Sequence, residues 1–259
     1  MPNIVQRFKR HFLLLFIFGL IGTSCACVTQ AAAGERQPLT VVLDSGHNPG
    51  QPGALGVRGV YEIVYNDNLT AKIADALRTA GFPVVLTRTP TQNISLDGRT
   101  QVANTSHADL FLAIHHDSAQ PVYLDKVTRN EVVAYRSKKP LAGYSIFVSK
   151  LNPQFADSYH FAEIMGQEML RLGRSPAMHH AENIPGENRE LLNTTMGIYR
   201  FDDLIVLKKT NIPAVLLEVG VIVDPDDEHY VSSNGKQEAI SQAIVSAVRA
   251  YDRFQSKKR

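Results

Sequence analysis

The chain has 259 residues, with 27 Lys and Arg against 25 Asp and Glu and a formal charge of +2. That balance leaves no basic stripe of the kind that binds nucleic acid. Its two cysteines, Cys25 and Cys27, sit close to the N-terminus. A cysteine-based metal centre is therefore excluded from the body of the chain, and any metal there must be held by imidazoles and carboxylates.

Residues 1–33 have the composition of a secretory signal. Arg7, Lys9 and Arg10 supply a positive start, and Phe12–Ile21 is apolar but too short to span a bilayer. Ala31-Ala-Ala33 offers a small-residue cleavage site, with an earlier one at Ser24-Cys-Ala26. Lipidation at Cys25 is disfavoured, because Gly22 stands where a branched apolar residue is expected. Removing this segment takes away three basic residues and leaves 24 against 25 acidic ones, a near-neutral exported domain over 34–259. The expected location is the periplasm. About 225 residues suffice for a single core that buries about 70% of the unfolded surface.

From residue 39 the pattern alternates. Apolar runs at 39–43, 83–87, 109–114 and 213–219 read as strands, and amphipathic runs at 62–80, 96–107, 156–173 and 235–255 as helices. Ile63, Leu69, Ile73, Ala76, Leu77 and Ala80 recur at helical spacing, Gly81 is placed as a stop, and Ser95 as the next helix's N-cap. Glu131–Tyr135 and Tyr144–Ser149 look like short strands at a sheet edge. The stretch 174–200 shows no period and reads as a long loop. No repeat or linker divides the chain. The expected fold is a single α/β domain, a mostly parallel twisted sheet with helices on both faces, phosphorylase/hydrolase-like.

Two of these strands end in histidine: Leu39–Ser45 runs through Gly46 to His47, and Asp109–Ile114 runs into His115. A third, Pro213–Gly220, carries Glu218 near its end, and Glu62 opens a helix. Ligands of open α/β sheets bind outside the carboxyl ends of strands. Two imidazoles and one or two carboxylates converging there suggest a zinc site with an open position. A carboxylate inside the apolar run around Glu218 is costly to bury unpaired. Spacing alone does not decide which of Glu62 and Glu218 ligates.

Asp44-Ser-Gly-His47, Pro52-Gly-Ala-Leu-Gly56, Glu62, Ala113-Ile-His115 and Pro213-Ala-Val-Leu-Leu-Glu218-Val-Gly form ordered blocks. Together they resemble the zinc-dependent N-acetylmuramoyl-L-alanine amidases, from about Leu39 to Phe254. The resemblance implies His47, Glu62 and His115 as ligands of one zinc ion and Glu218 as the catalytic carboxylate. It implies peptidoglycan as substrate, cut between N-acetylmuramic acid and L-alanine, with a protein activator as a further partner. His116 departs from that family, which commonly has a small residue there. The alternatives are a zinc carboxypeptidase-like stem-peptide peptidase and a non-catalytic peptidoglycan-binding regulator.

Other polar residues have plainer expected places. His116 reads as a pocket wall, Asp117 as a reserve base, and His179 and His180 as surface-loop residues. Glu182, Glu187 and Glu190 read as solvated loop acids, leaving the zinc open. Asp44 reads either as a turn former or as an acceptor that orients an imidazole. The turn 48–56 and the 174–200 loop are the expected groove walls. No His-Glu-x-x-His run, Gly-x-Ser-x-Gly elbow, P-loop or dinucleotide fingerprint is present.

Overall fold

A computed structural model describes residues 37–129 and 132–258. The expected signal sequence, with Cys25 and Cys27, lies outside the described residues. Strands β1 (Val41–Ser45), β2 (Val84–Leu86) and β3 (Leu110–Asp117) alternate with helices α1 (Glu62–Thr79) and α2 (Leu96–Thr105). Then come β4 (Leu124–Arg129), β5 (Val132–Ser137), β6 (Ser145–Val148) and α3 (Phe155–Arg171). The chain closes with β7 (Leu191–Asn193), β8 (Ile198–Arg200), α4 (Ile205–Lys208), β9 (Ala214–Val221), α5 (Pro225–Ser232) and α6 (Asn234–Lys258).

Seven strands form one sheet in the order β2-β1-β3-β9-β6-β8-β7. The β1–β2, β1–β3, β3–β9 and β6–β8 pairs are parallel, while β6–β9 and β7–β8 are antiparallel. Successive strand side chains point to opposite faces, and the core divides accordingly. Leu110, Leu112 and Ile114 of β3 join Val215 and Leu217 of β9 against Leu69 and Ile73 of α1, Phe161 and Met165 of α3, and Ile240 and Ile244 of α6. Phe111 and Ala113 join Ala214 and Leu216 on the other face, against Ala103 of α2 and Val206 and Leu207 of α4. The expected parallel-rich sheet, covered on both faces, is what forms.

Local signals act where expected. The Ser95 hydroxyl accepts from the Gly98 amide at 3.0 Å and caps α2. Gly81, at φ +91°, turns the chain out of α1. Three expectations need correction. β6 is interior, because both of its edges are paired, with β9 and β8. β4 and β5 pair only with each other, as a separate antiparallel ribbon. The 174–200 stretch is not an unbroken loop: it holds a 3-10 turn at His179–Ala181 and the two short strands β7 and β8 that extend the main sheet. Strands of three residues are too short to show a period. No helix among the described residues is long and apolar enough to cross a membrane.

Candidate active site

The even–odd alternation of β3 and β9 decides which polar groups meet at the strand ends. His115 continues the face of Phe111 and Ala113, and in register it stands opposite Glu218, which continues the face of Ala214 and Leu216. One step further the pairing shifts, so that Asp117 matches Val221. His47 lies just past the end of β1, with φ +64°. Glu62 is the first residue of α1 and is buried.

These three side chains converge. His47 Nε2 stands 2.8 Å from Glu62 Oε2, and His115 Nδ1 stands 3.0 Å from Glu62 Oε1. The two imidazole rings meet edge to face, with centroids 5.0 Å apart. The donor atoms of all three lie within 4.8 Å of one another. The carboxylate also accepts backbone amides from Ala54 at 3.3 Å and His116 at 3.2 Å, and the Asn66 amide at 3.1 Å. Burial pushes the Glu62 carboxyl up, yet hydrogen bonds and charge from His115 and His47 outweigh it and hold it well below the usual range.

Two glycines make the convergence sterically feasible. A Cβ on Gly46 would fall 2.4 Å from the His115 ring. Gly53, at φ +81°, passes so close that a Cβ would lie 2.6 Å from Glu62 Oε2 and 2.7 Å from His47 Cδ2. At Gly53 the positive φ adds strain to any side chain, and at Gly46 a side chain would displace the His115 ring.

Glu218 is half-buried, and its Oε2 is a buried oxygen with no hydrogen-bond partner among the described residues. Burial pushes its carboxyl well above the usual range, and the negative charges of Asp117 and Glu62 add to the shift. A carboxyl raised in this way is suited to taking and returning a proton near neutral pH.

A set of buried polar side chains holds the His47 turn, and sequence reading did not find it. Arg99 of α2 pairs with Asp44 at 2.5 Å, donates to the Ser45 carbonyl at 2.7 Å and also donates to the His47 carbonyl. Arg88 donates to the carbonyls of Ser45 at 3.1 Å and Gly46 at 3.0 Å and pairs with Asp67 at 2.6 Å. Asn66 bonds the Gly46 carbonyl at 3.3 Å as well as Glu62. The available signal was an arginine at position 99 four residues before Ala103, on the buried side of α2. Asp44 is thus neither a turn former nor an imidazole partner: it lies within β1, and bonds Arg99 and Thr87.

The remaining expectations divide. His116 is fully buried rather than a pocket wall. It continues the opposite face of β3, packs beside Tyr65 of α1 and has Nδ1 2.7 Å from Asn66 Oδ1. Burial, its largest influence, lowers its pKa to about 3. His179 and His180 are also buried, not on a surface loop, and both face Asp117 Oδ2, at 3.1 and 2.8 Å. Glu187 is not solvated, since its side chain is 3% exposed against His180 and Arg189. Glu182 bonds Tyr123 and Lys139, and Glu190, which is exposed, bonds Lys150 and Arg200.

A cleft of about 820 Å³ opens beside His47 and His115. Asn48, Gly50 and Gln51 form part of its wall as expected, but the other walls are Asn93–Leu96 and Asp203–Val206, with no residue of 174–200. The 174–200 segment packs instead around Asp117.

An open α/β sheet with two imidazoles and a carboxylate at its strand ends, beside such a cleft, has the donor set of a metal-dependent hydrolase. The comparisons agree. The family model described as N-acetylmuramoyl-L-alanine amidase matches residues 41–250. The amidase AmiA of Escherichia coli is 25% identical over 235 residues, spanning 85% of this chain and 77% of that protein. The amidase Ami1 of Mycobacterium smegmatis superposes with a TM-score of 0.64 at 20% identity, covering 83% of this chain and 96% of that one. The CwlD amidase of Clostridioides difficile, solved in complex with the GerS lipoprotein, gives 0.61 at 22% identity, with 82% and 98% covered. The chain belongs to the N-acetylmuramoyl-L-alanine amidase family, and its reaction is hydrolysis of the amide between the lactyl group of N-acetylmuramic acid and L-alanine in peptidoglycan.

Proposed function

We propose that His47, Glu62 and His115 hold one zinc ion and that Glu218 is the general base and acid of the amidase reaction. The donor chemistry fits: two imidazoles flank a buried carboxylate that makes no other ion pair within 4 Å among the described residues. Three such protein ligands leave one position free, the pattern of a catalytic rather than a structural centre. When bound, zinc supplies Lewis acidity, lowering the pKa of a water toward about 7 and polarising the scissile carbonyl.

The chain's own residues do the rest. The cleft beside His47 and His115 takes the glycan–peptide junction, with its lactyl amide presented toward the strand ends. Glu218 Oε2, buried and with no hydrogen-bond partner among the described residues, accepts the proton of the attacking water. The same carboxyl then delivers that proton to the departing amine of L-alanine, so acid and base are one group used twice. Arg99, Arg88 and Asn66 hold the backbone of the His47 turn and cost no reorganisation during reaction. The observation that carries this reading is the register match of His115 with Glu218.

The exported domain comprises residues 34–259 after a signal over 1–33, and it acts in the periplasm on the peptidoglycan there. A protein activator is a natural partner, since the related CwlD is found with a lipoprotein. Digestion of purified sacculi by the zinc-loaded protein tests the assignment. Free stem peptides with an L-alanine amino terminus are expected, and their loss in Glu218→Gln with zinc retained; shortened muropeptides would instead indicate a stem-peptide peptidase.

A further inference from the structure

A second cluster of metal-ligating side chains lies two residues beyond His115, at Asp117, and plays no part in the mechanism above. Asp117 Oδ2 is 2.8 Å from His180 Nε2 and 3.1 Å from His179 Nε2, and the three donor atoms lie within 4.8 Å of one another. His179 is 2% exposed, and neither of its ring nitrogens makes a hydrogen bond among the described residues. It is a buried polar ring aimed at a carboxylate oxygen in a direction that forms no bond with it. An unsatisfied group of this kind costs about 1–3 kcal/mol, and a native protein keeps one only where something else completes it.

The neighbours of the cluster are those of a ligand set. His180 Nδ1 stands 2.9 Å from Glu187 Oε2, and Glu187 is itself held by Arg189 at 2.6 Å. A ligating histidine usually donates its far N–H to such a carboxylate, which fixes the other nitrogen as the electron-pair donor. Charge points the same way. Asp117 and Glu187 carry two negative charges against the single guanidinium of Arg189, a balance that one cation, or one proton on an imidazole, restores. Protonating both imidazoles would place two like charges on rings whose centroids are 4.1 Å apart, which repel in a buried site. Donors around a tetrahedral zinc at 2.0–2.1 Å stand about 3.3 Å apart, so each histidine needs to move from the Asp117 oxygen by only a few tenths of an ångström.

We propose that Asp117, His179 and His180 form a second divalent-cation site, selective for zinc-like ions by its two imidazoles and one carboxylate. The site ties the 174–200 segment to the end of β3. It also balances the charge of Asp117, which otherwise acts on Glu218.

Metal content of the exported chain (34–259), freed of metal by chelation and reloaded with zinc, tests the proposal. The expected contents are about two zinc ions per chain in the unsubstituted protein, about one in a His47→Ala/His115→Ala variant and about one in a His179→Ala/His180→Ala variant. A His179→Ala/His180→Ala variant that holds as much zinc as the unsubstituted protein overturns the second site. A His47→Ala/His115→Ala variant that holds as much overturns the first instead, so the two failures are distinct. Zinc added to the metal-free His47→Ala/His115→Ala variant is also expected to raise its Tm, because a ligand that binds only the folded state stabilises it. No rise overturns the second site even where removal of both loop histidines prevents folding.

Discussion

Glu218 and His115 stand directly opposite each other on the adjacent parallel strands β9 and β3, the last matched pair before the register shifts. Both continue the strand faces that carry Phe111, Ala113, Ala214 and Leu216. The sheet's alternation therefore delivers the Glu218 carboxyl and the His115 imidazole to the same end of the same face without help from any loop. Their relative position is built into the ladder, and ladder geometry is stiffer than loop geometry.

Glu218→Gln should retain zinc and lose turnover. The amide is nearly isosteric but cannot accept the proton of the attacking water, and loss of a general base costs on the order of 10²-fold or more. Zinc content and the rate of stem-peptide release from sacculi, measured on one preparation, check this. A near-normal rate would assign the base elsewhere, with Asp117 next in line.

His47→Ala and His115→Ala each remove one of the two imidazoles that flank Glu62, and so one of the three proposed ligands. Each should lose the zinc of the first site and with it activity, since a three-ligand site cut to two rarely keeps its metal. Competition with a chelator of known affinity measures the loss. An affinity unchanged in either variant removes that residue from the ligand set.

Gly46→Ala tests the close approach of backbone and ring. The new methyl would sit 2.4 Å from the His115 imidazole, so the ring must swing away from Glu62. Zinc affinity is expected to fall by roughly 10–100-fold, the range for disturbing what orients a ligand. Unfolding by urea should move much less, because the displaced group is a side chain at the rim of the cleft. Unchanged zinc affinity would show that the ring has another route.

The convergence of these side chains could be read from the sequence, because His47 and His115 follow apolar strand runs and Glu218 lies near the end of a third. Helices of 17 residues or more, such as α1 and α3, show their period plainly. Three-residue strands such as β7 and β8 cannot, and so the span that buries His179 and His180 read as a polar loop. The buried arginines were illegible for a different reason. Arg99 satisfies two backbone carbonyls and Asp44 through long-range contacts 52 to 55 residues apart in sequence. No local pattern signals a partner at that distance. His116 was misplaced because alternation says which face it takes, not whether a helix covers that face.

Arg99→Met should destabilise the fold more than it perturbs the chemistry directly. It strands the Asp44 carboxylate, which is 1% exposed, frees the His47 carbonyl and leaves that of Ser45 to Arg88. Breaking a buried ion pair from one side costs about 3–5 kcal/mol. Urea unfolding of the metal-free protein measures it, and a loss below about 1 kcal/mol would mean that Thr87 alone satisfies Asp44.

His116 gives the metal-free protein a specific sensitivity to acid. Buried against Tyr65 and bonded to Asn66, it stays neutral in the fold until about pH 3, whereas the unfolded chain takes up this proton near its ordinary value of about 6.5. Its folded pKa lies below its unfolded one, so the unfolded state binds more protons between those values. The stability it allows is complete above about pH 6.5 and declines as pH falls toward 3. Each unit of pH in that window is worth about 1.4 kcal/mol per proton, which gives about 2 kcal/mol between pH 6.5 and 5. In His116→Gln, which cannot titrate, the drop in unfolding free energy from pH 7 to pH 5 should be smaller by about that amount. The comparison is made with chelator present, so that loss of zinc at low pH does not contribute. Parallel stability curves for the two proteins over that range would show that His116 titrates normally in the fold, and that α1 does not seal it from water.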